Sequence, residues 1–197
     1  MLRMVFATSL LVSAALSASA QDGTPASAIF AGGCFWCVEE AFDAVPGVVA
    51  TTSGYTGGSL ENPTYQDVLT ETTGHYEAVK VDFDPSQVTY EDLLKTYWRN
   101  VDPFDARGQF CDKGPSYRSA IFVAGPEQEQ LAEASKQAVD AGFEEPIATE
   151  ILPAAEFYPA EDYHQNYHET NSAKYKFYKW NCGRAQRLED IWGKPTG

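Results

Sequence analysis

The chain has 197 residues, of which 44% are hydrophobic, and carries a formal charge of −14. That charge disfavours nucleic acid and anionic membrane surfaces as partners. The length and apolar content suffice for one domain with a real core and no disulfide framework to staple it.

The N-terminus reads as an export signal. Arg3 supplies a positive start, Met4 to Leu16 an apolar stretch, and Ala18-Ser19-Ala20 a small-residue cleavage pattern. The cut would fall before Gln21, leaving residues 21–197 as the mature domain. The apolar stretch is too short for a lasting membrane span, and nothing later is long enough. The expectation is an exported, periplasmic monomer. That compartment is oxidising, which bears on how Cys34, Cys37, Cys111 and Cys182 are read.

Ala28-Ile29-Phe30-Ala31 reads as a buried strand, followed by Gly32-Gly33 and a helix from Phe35 to Val45. Phe35, Val38, Ala41, Phe42 and Val45 recur at helical spacing, and Pro46-Gly47 stops the run. Cys34 therefore sits at the helix entrance. Unpaired N–H groups and the helix dipole favour an anion there, which predicts a thiol that ionises easily. The competing reading is a small buried core residue. Cys34-x-x-Cys37 suggests redox chemistry. A four-cysteine zinc site is a further alternative, weakened by the isolation of Cys111 and Cys182 in sequence.

Val48 to Ser53 is a second strand. It runs into Gly54-Tyr55-Thr56-Gly57-Gly58, which reads as a pocket wall carrying Tyr55 rather than a phosphate loop. One short helix is expected around Gln66 to Leu69. Tyr76 to Phe83 alternates as a strand, with Glu77 on the face of Val79, Val81 and Phe83. Spacing leaves two readings of Glu77 open: a buried acid with a raised pKa, or a solvated strand end. Thr89 and Asp92 cap a helix whose apolar stripe is Leu93, Leu94, Tyr97 and Val101. Phe104 to Pro115 reads as a polar loop holding Cys111 and Asp112. A strand over Arg118–Val123, a helix from Pro126 to Ala141 and a strand over Ile147–Leu152 follow. Ala160 to Tyr167 is expected as a short helix. His164 and His168 could share a helix face, as a hydrogen-bonded pair or, less favoured, as metal ligands. Glu169 to Gly197 is aromatic and basic and carries Cys182 on an expected flexible tail that could fold over Cys34. The order β-α-β-β-α-β-α-β points to an α/β (α+β) two-layer sandwich with a central mixed β-sheet.

Several stretches resemble one family. Gly33-Cys34-Phe35-Trp36 resembles the signature of the A-type peptide methionine sulfoxide reductases. Gly54-Tyr55-Thr56-Gly57-Gly58, Thr73-Gly74-His75-Tyr76-Glu77, Asp112 to Ala120, and Ala160 to Gln165 match further family motifs in order. The resemblance implies the same two-layer fold and a set of roles. Cys34 matches the nucleophile, and Phe35 and Trp36 the aromatic pair around the substrate's S-methyl group. Glu77 matches the acid that protonates the sulfoxide oxygen, Tyr55 and Tyr117 the phenols that hydrogen-bond it, and Asp112 a residue that helps hold the substrate. Many members have Gly where this chain has Cys37, and the C-terminal tail with Cys182 also departs from the better-known pattern.

These roles make a coherent reaction. Cys34 thiolate attacks the sulfoxide sulfur while Glu77 protonates the oxygen. Methionine leaves, and the sulfenic acid on Cys34 condenses with a second thiol. Cys37 is expected to resolve it first and Cys182 next, before a thioredoxin-like dithiol restores the enzyme. No metal, flavin or nicotinamide cofactor is required. Cys111 receives no step. A Cys-x-x-Cys disulfide oxidoreductase is the rival enzyme, but it would leave Glu77 and the tyrosines unused. A zinc-stabilised binding module is the non-enzymatic rival.

Overall fold

The computed structural model describes residues 25–194, so the export signal read at Met1 to Ala20 lies outside the described residues. The first strand, β1 (Ala26–Gly32), alternates buried Ala28 and Phe30 toward one face, and runs into α1 (Phe35–Asp43). β2 (Val48–Thr56), α2 (Tyr65–Val68), β3 (Tyr76–Phe83) and α3 (Tyr90–Trp98) follow. A small hairpin, β4 (Gly108–Gln109) and β5 (Asp112–Lys113), precedes β6 (Ser119–Val123) and α4 (Pro126–Asp140). The chain closes with β7 (Glu150–Pro153), β8 (Phe157–Pro159), α5 (Tyr167–Thr170), α6 (Ser172–Asn181) and α7 (Arg184–Trp192).

Six strands form one sheet in the order β7-β6-β1-β3-β2-β8. β6 and β7 are parallel and the other pairs antiparallel, so the sheet is mixed as expected. α1, α3 and α4 cover one face. Their Phe35, Phe42, Leu93, Leu94, Tyr97 and Ala132 pack on Ala28, Phe30, Val79, Val81 and Ile121. Phe30 is fully buried, stacked on Phe42 at 4.8 Å and on Tyr97 at 5.3 Å. Burying a ring of that size stabilises the fold by about 1.5–3 kcal/mol. A smaller cluster of Ala31, Tyr76, Ala78, Ala120 and Phe122 occupies the other face. β1 is thus central, and its C-terminal end delivers Cys34 to the middle of the sheet edge, beside the start of β3.

Several boundaries differ from the sequence expectation. α3 ends at Trp98, and Val101 reaches the core from beyond the helix. The expected polar loop at Phe104–Pro115 contains the β4–β5 hairpin. Ala160 to Tyr167 is not one helix. A 3-10 turn at Asp162–His164 is separated from α5 by Asn166, whose φ of 50° breaks the helical path. The expected flexible tail is helical: α6 docks through buried Tyr175, whose hydroxyl donates to Glu40 at 2.6 Å, and α7 through buried Arg184. Its apolar residues do not form a single stripe, since Phe177 and Trp180 face solvent, and this hid the helix. Among the described residues no helix is long and apolar enough to cross a membrane.

Candidate active site

Cys34 sits between β1 and α1, where the backbone is held tightly. Gly33 has φ +81°, and a Cβ there would lie 2.5 Å from Gln109 Cβ, so only glycine fits. The Tyr97 hydroxyl donates to Ala31 O at 2.8 Å and fixes the approach from β1. Cys34 is 6% exposed and Cys37 3%, and both are free thiols. Burial pushes the Cys34 thiol up, and the neighbouring Cys37 and Glu77 add to it. The hydrogen bond with Cys34 pulls Cys37 down to about 6, against its own burial. The two thiols are thus coupled, with Cys37 the one drawn down and Cys34 the one pushed up. The easily ionised Cys34 expected from the helix entrance is not what the fold provides. Burial is one reason, and the fate of the helix's first N–H is the other.

That N–H, of Phe35, donates to Glu77 Oε2 at 3.1 Å. Glu77 enters from the first turn of β3 and is 3% exposed. Burial pushes its carboxyl up to about 8, against the Phe35 hydrogen bond, and the carboxyls of Asp112 and Glu71 add to the rise. Of the two readings left open by spacing, the buried acid is the one found.

Cys34, Phe35, Trp36, Tyr65, Glu77, Asp112, Tyr117 and Tyr178 line a cavity of ≈ 90 Å³. This is well below the roughly 300–1,000 Å³ of pockets for drug-sized ligands and suits the end of one side chain. Trp36 forms a wall. Its ring stacks on Tyr167 at 3.8 Å, and its Nε1–H donates to His164 Nδ1 at 3.2 Å. His164 must therefore carry its proton on Nε2, and burial holds its pKa below the usual value. Tyr117 follows a short turn anchored by Ser116, whose N–H and hydroxyl donate to Glu71 at 2.9 and 2.8 Å. Burial keeps the phenols of Tyr65 and Tyr117 neutral, that of Tyr65 near 12.

Six of the residues singled out in the sequence meet here: Cys34, Phe35, Trp36, Glu77, Asp112 and Tyr117. Tyr55 does not. It pairs with Glu77 across β2 and β3, but its ring lies in the core against Phe35 at 6.0 Å. Its hydroxyl donates to Glu161 Oε2 at 2.9 Å. The second phenol of the cavity is Tyr65, whose backbone N–H donates to the other oxygen of Glu161 at 2.8 Å. The signal for it was present: Thr64 and Asp67 form a capping box that starts α2 at Tyr65. Cys182 does not fold over Cys34. It ends α6 and forms a disulfide with Cys111, Cα–Cα 5.0 Å. With those two sulfurs bonded to each other, the four cysteines do not converge as a zinc site. His164 and His168 do not converge either, since His168 lies beside Glu39 and Asp43. Tyr178, on α6, had no signal in the sequence. A larger apolar groove of ≈ 530 Å³ lies between α3 and α4, but it contains no thiol.

Fold and site together are those of a thiol reductase: a buried thiol, a buried carboxylic acid and aromatic walls around one small cavity. The family model for peptide methionine sulfoxide reductase matches residues 26–196, and the chain belongs to that family. A peptide methionine sulfoxide reductase of Caulobacter vibrioides is 49% identical over 191 residues, covering 96% of this chain and 97% of its own. One from Bacillus pumilus is 53% identical over 171 residues, covering 86% and 96%. The structure of methionine sulfoxide reductase A of Corynebacterium diphtheriae superposes with a TM-score of 0.68 at 38% identity, covering 78% and 77%. Reduced Mxr1 of Saccharomyces cerevisiae gives 0.72 at 28% identity, covering 76% and 87%.

Proposed function

We propose the following division of labour for the reduction of methionine sulfoxide to methionine, with the S epimer as substrate. The methylsulfinyl end of the side chain enters the cavity with its methyl group against Phe35 and Trp36. Its oxygen lies toward Glu77, Tyr65 and Tyr117. Glu77, neutral at physiological pH, gives its proton to that oxygen as the sulfur becomes electrophilic. Cys34 attacks the sulfur, its proton taken up within the Cys34–Cys37 pair. The phenols donate hydrogen bonds to the oxygen as charge develops. The S–O bond of the substrate then breaks as its protonated oxygen passes to the Cys34 sulfur, so that methionine leaves and Cys34 remains as sulfenic acid.

The observation that carries this reading is the meeting of the Cys34 sulfur and a buried, raised-pKa carboxyl in one cavity of ≈ 90 Å³. Turnover of the two epimers of a peptide sulfoxide with a chemical dithiol tests it. Reduction of the S epimer alone is expected, abolished by Cys34→Ser. Equal rates on both epimers, or activity surviving in Cys34→Ser, would overturn it.

For regeneration, Cys37 condenses with the sulfenic acid, releasing water and forming a Cys34–Cys37 disulfide. The Cys111–Cys182 pair then takes over the disulfide by exchange, leaving Cys34 and Cys37 reduced. Two free thiols in the site and one disulfide outside it are the state that such an exchange would leave, which supports this order. Cys111 thereby acquires a step the sequence did not assign. It is exposed and Cys182 half-buried, so Cys111 is the sulfur open to an external dithiol. A thioredoxin-like protein fits that role. The yeast relative Mxr1 has been solved in complex with Trx2. The export signal and the oxidising periplasm remain part of the same proposal.

A further inference from the structure

Cys111 and Cys182 each adjoin a residue that faces the substrate cavity. Cys111 directly precedes Asp112, and Tyr178 lies one helical turn before Cys182 on α6. The Tyr178 hydroxyl donates to Asp112 Oδ2. The same phenol lies against Cys34, favouring its thiolate, and meets the Trp36 ring edge-on at 5.9 Å. Disulfide and hydrogen bond therefore run in parallel, each tying the β4–β5 hairpin to the end of α6. Tyr175 and Lys179, which flank Tyr178 along α6, both bind Glu40 and hold the helix independently of the hairpin. Gly183, with φ +69°, follows Cys182 and turns the chain into α7.

We propose that Tyr178 controls the approach of substrate to Cys34, and that its placement over the sulfur is set by the redox state of the Cys111–Cys182 pair. With the disulfide formed, the staple makes the Tyr178–Asp112 contact effectively intramolecular and holds the phenol in the cavity. An external dithiol reduces the bond, giving two electrons and two protons to the pair and becoming a disulfide itself. The Tyr178–Asp112 hydrogen bond is then left as the direct tie between α6 and the hairpin, while Glu40 still holds the helix through Tyr175 and Lys179. The Tyr178 side chain then turns away from the sulfur while α6 stays on Glu40, and the cavity widens around the methylsulfinyl group. Asp112, whose carboxyl burial pushes up, is released at the same time to face the substrate. The coupling rests on the regeneration scheme above and adds an order to it: the outer pair is recharged before the next sulfoxide enters.

The test compares two forms of the wild-type protein without any reductant present. One is fully reduced. The other carries only the Cys111–Cys182 bond, formed by mild oxidation and verified by alkylation and peptide mapping. Each is mixed with subsaturating N-acetyl-methionine-S-sulfoxide, and the first turnover is followed. The fully reduced form is expected to be faster by about tenfold or more, as for a site whose competent fraction is cut to that extent. Tyr178→Ala should make the two forms react at one rate, and Tyr178→Phe, which keeps the ring, should retain part of the difference. Equal rates for the two wild-type forms would overturn the proposal, as would a difference that survives in Tyr178→Ala. Peptide mapping of the fully reduced protein after its first turnover reports the relay separately. A disulfide found elsewhere than Cys111–Cys182 would refute that scheme without touching the rate comparison.

Discussion

Phe35 and Glu77 are joined by a 3.1 Å hydrogen bond, from the first N–H of α1 to the carboxyl of β3. The helix that presents the nucleophile therefore also orients the acid. A helix N-terminus would ordinarily be used to stabilise the thiolate. Here its first donor goes to the buried carboxyl, and the thiol whose pKa is drawn down is Cys37, one turn further on. Cys34 and Glu77 are thus linked through one residue, Phe35.

The first prediction concerns that acid. Glu77→Gln keeps a hydrogen-bonding group but has no proton to give. The reduction step should fall on the order of 10²–10⁴-fold in single turnover. A rate within about threefold of wild type would show another group to be the donor.

The pH profile follows from the same residue. Glu77 must be protonated to act, and its carboxyl lies at about 8, so the reduction step should decline as pH rises through 8. Glu77→Gln should lose that limb. Linkage adds a stability effect of the same sign. A buried carboxyl with a raised pKa binds its proton more tightly in the fold than in the unfolded chain. Its contribution is complete below the unfolded value near 4.3 and is lost as pH rises toward 8. Denaturant midpoints of Glu77→Gln should therefore vary less with pH between 5 and 8 than those of wild type.

The two tyrosines can be told apart. Tyr65→Phe removes a donor from the cavity and should slow reduction on the order of 10–10²-fold with little change in stability. Tyr55→Phe removes the donor to Glu161 Oε2, leaving that carboxylate held by the Tyr65 N–H. It should lower stability by about 1–3 kcal/mol while the single-turnover rate changes less. The opposite pattern in denaturation and rapid-mixing measurements would restore Tyr55 as the reacting phenol.

Gly33→Ala tests the turn. The new methyl group would need φ +81° and would sit 2.5 Å from Gln109 Cβ. Strain of about 1–3 kcal/mol is expected, visible as a lower denaturant midpoint. The reduction rate should fall as well, because Cys34 is the next residue.

Export is checked directly. Protein purified from its native cells should begin at Gln21 by mass spectrometry. An intact Met1 or Leu2 terminus would rule out the signal.

How much of this was legible follows a pattern. β3 was read with its observed bounds because Glu77, Val79, Val81 and Phe83 alternate over a whole strand. The Thr89–Asp92 cap was read because its chemistry is local. β8 was missed because three residues carry no period, and its pairing partner, Gly54 to Thr56, lies about a hundred residues away. Tyr55 was chosen over Tyr65 for the same kind of reason. The Thr64–Asp67 capping box marks where α2 starts at Tyr65, but which phenol is buried and which faces the cavity is set by tertiary contacts such as those of Glu161. The Cys111–Cys182 bond is the clearest case. Connectivity of four cysteines is not deducible from spacing. Once α6 was taken for a tail, nothing remained to bring Tyr178 to Asp112.

Trp36 and His164, bonded at 3.2 Å, are 128 residues apart. Gln165 likewise holds Ser53, and Glu161 holds Tyr65. The sulfur is among the first parts of the domain to be synthesised and its walls are among the last. A partly translated chain carries Cys34 without Trp36 oriented, without Tyr65 anchored and without Tyr178 in place. Repair chemistry therefore begins only when the ribosome has nearly finished, and a chain truncated before residue 160 would be left with a thiol but no reductase.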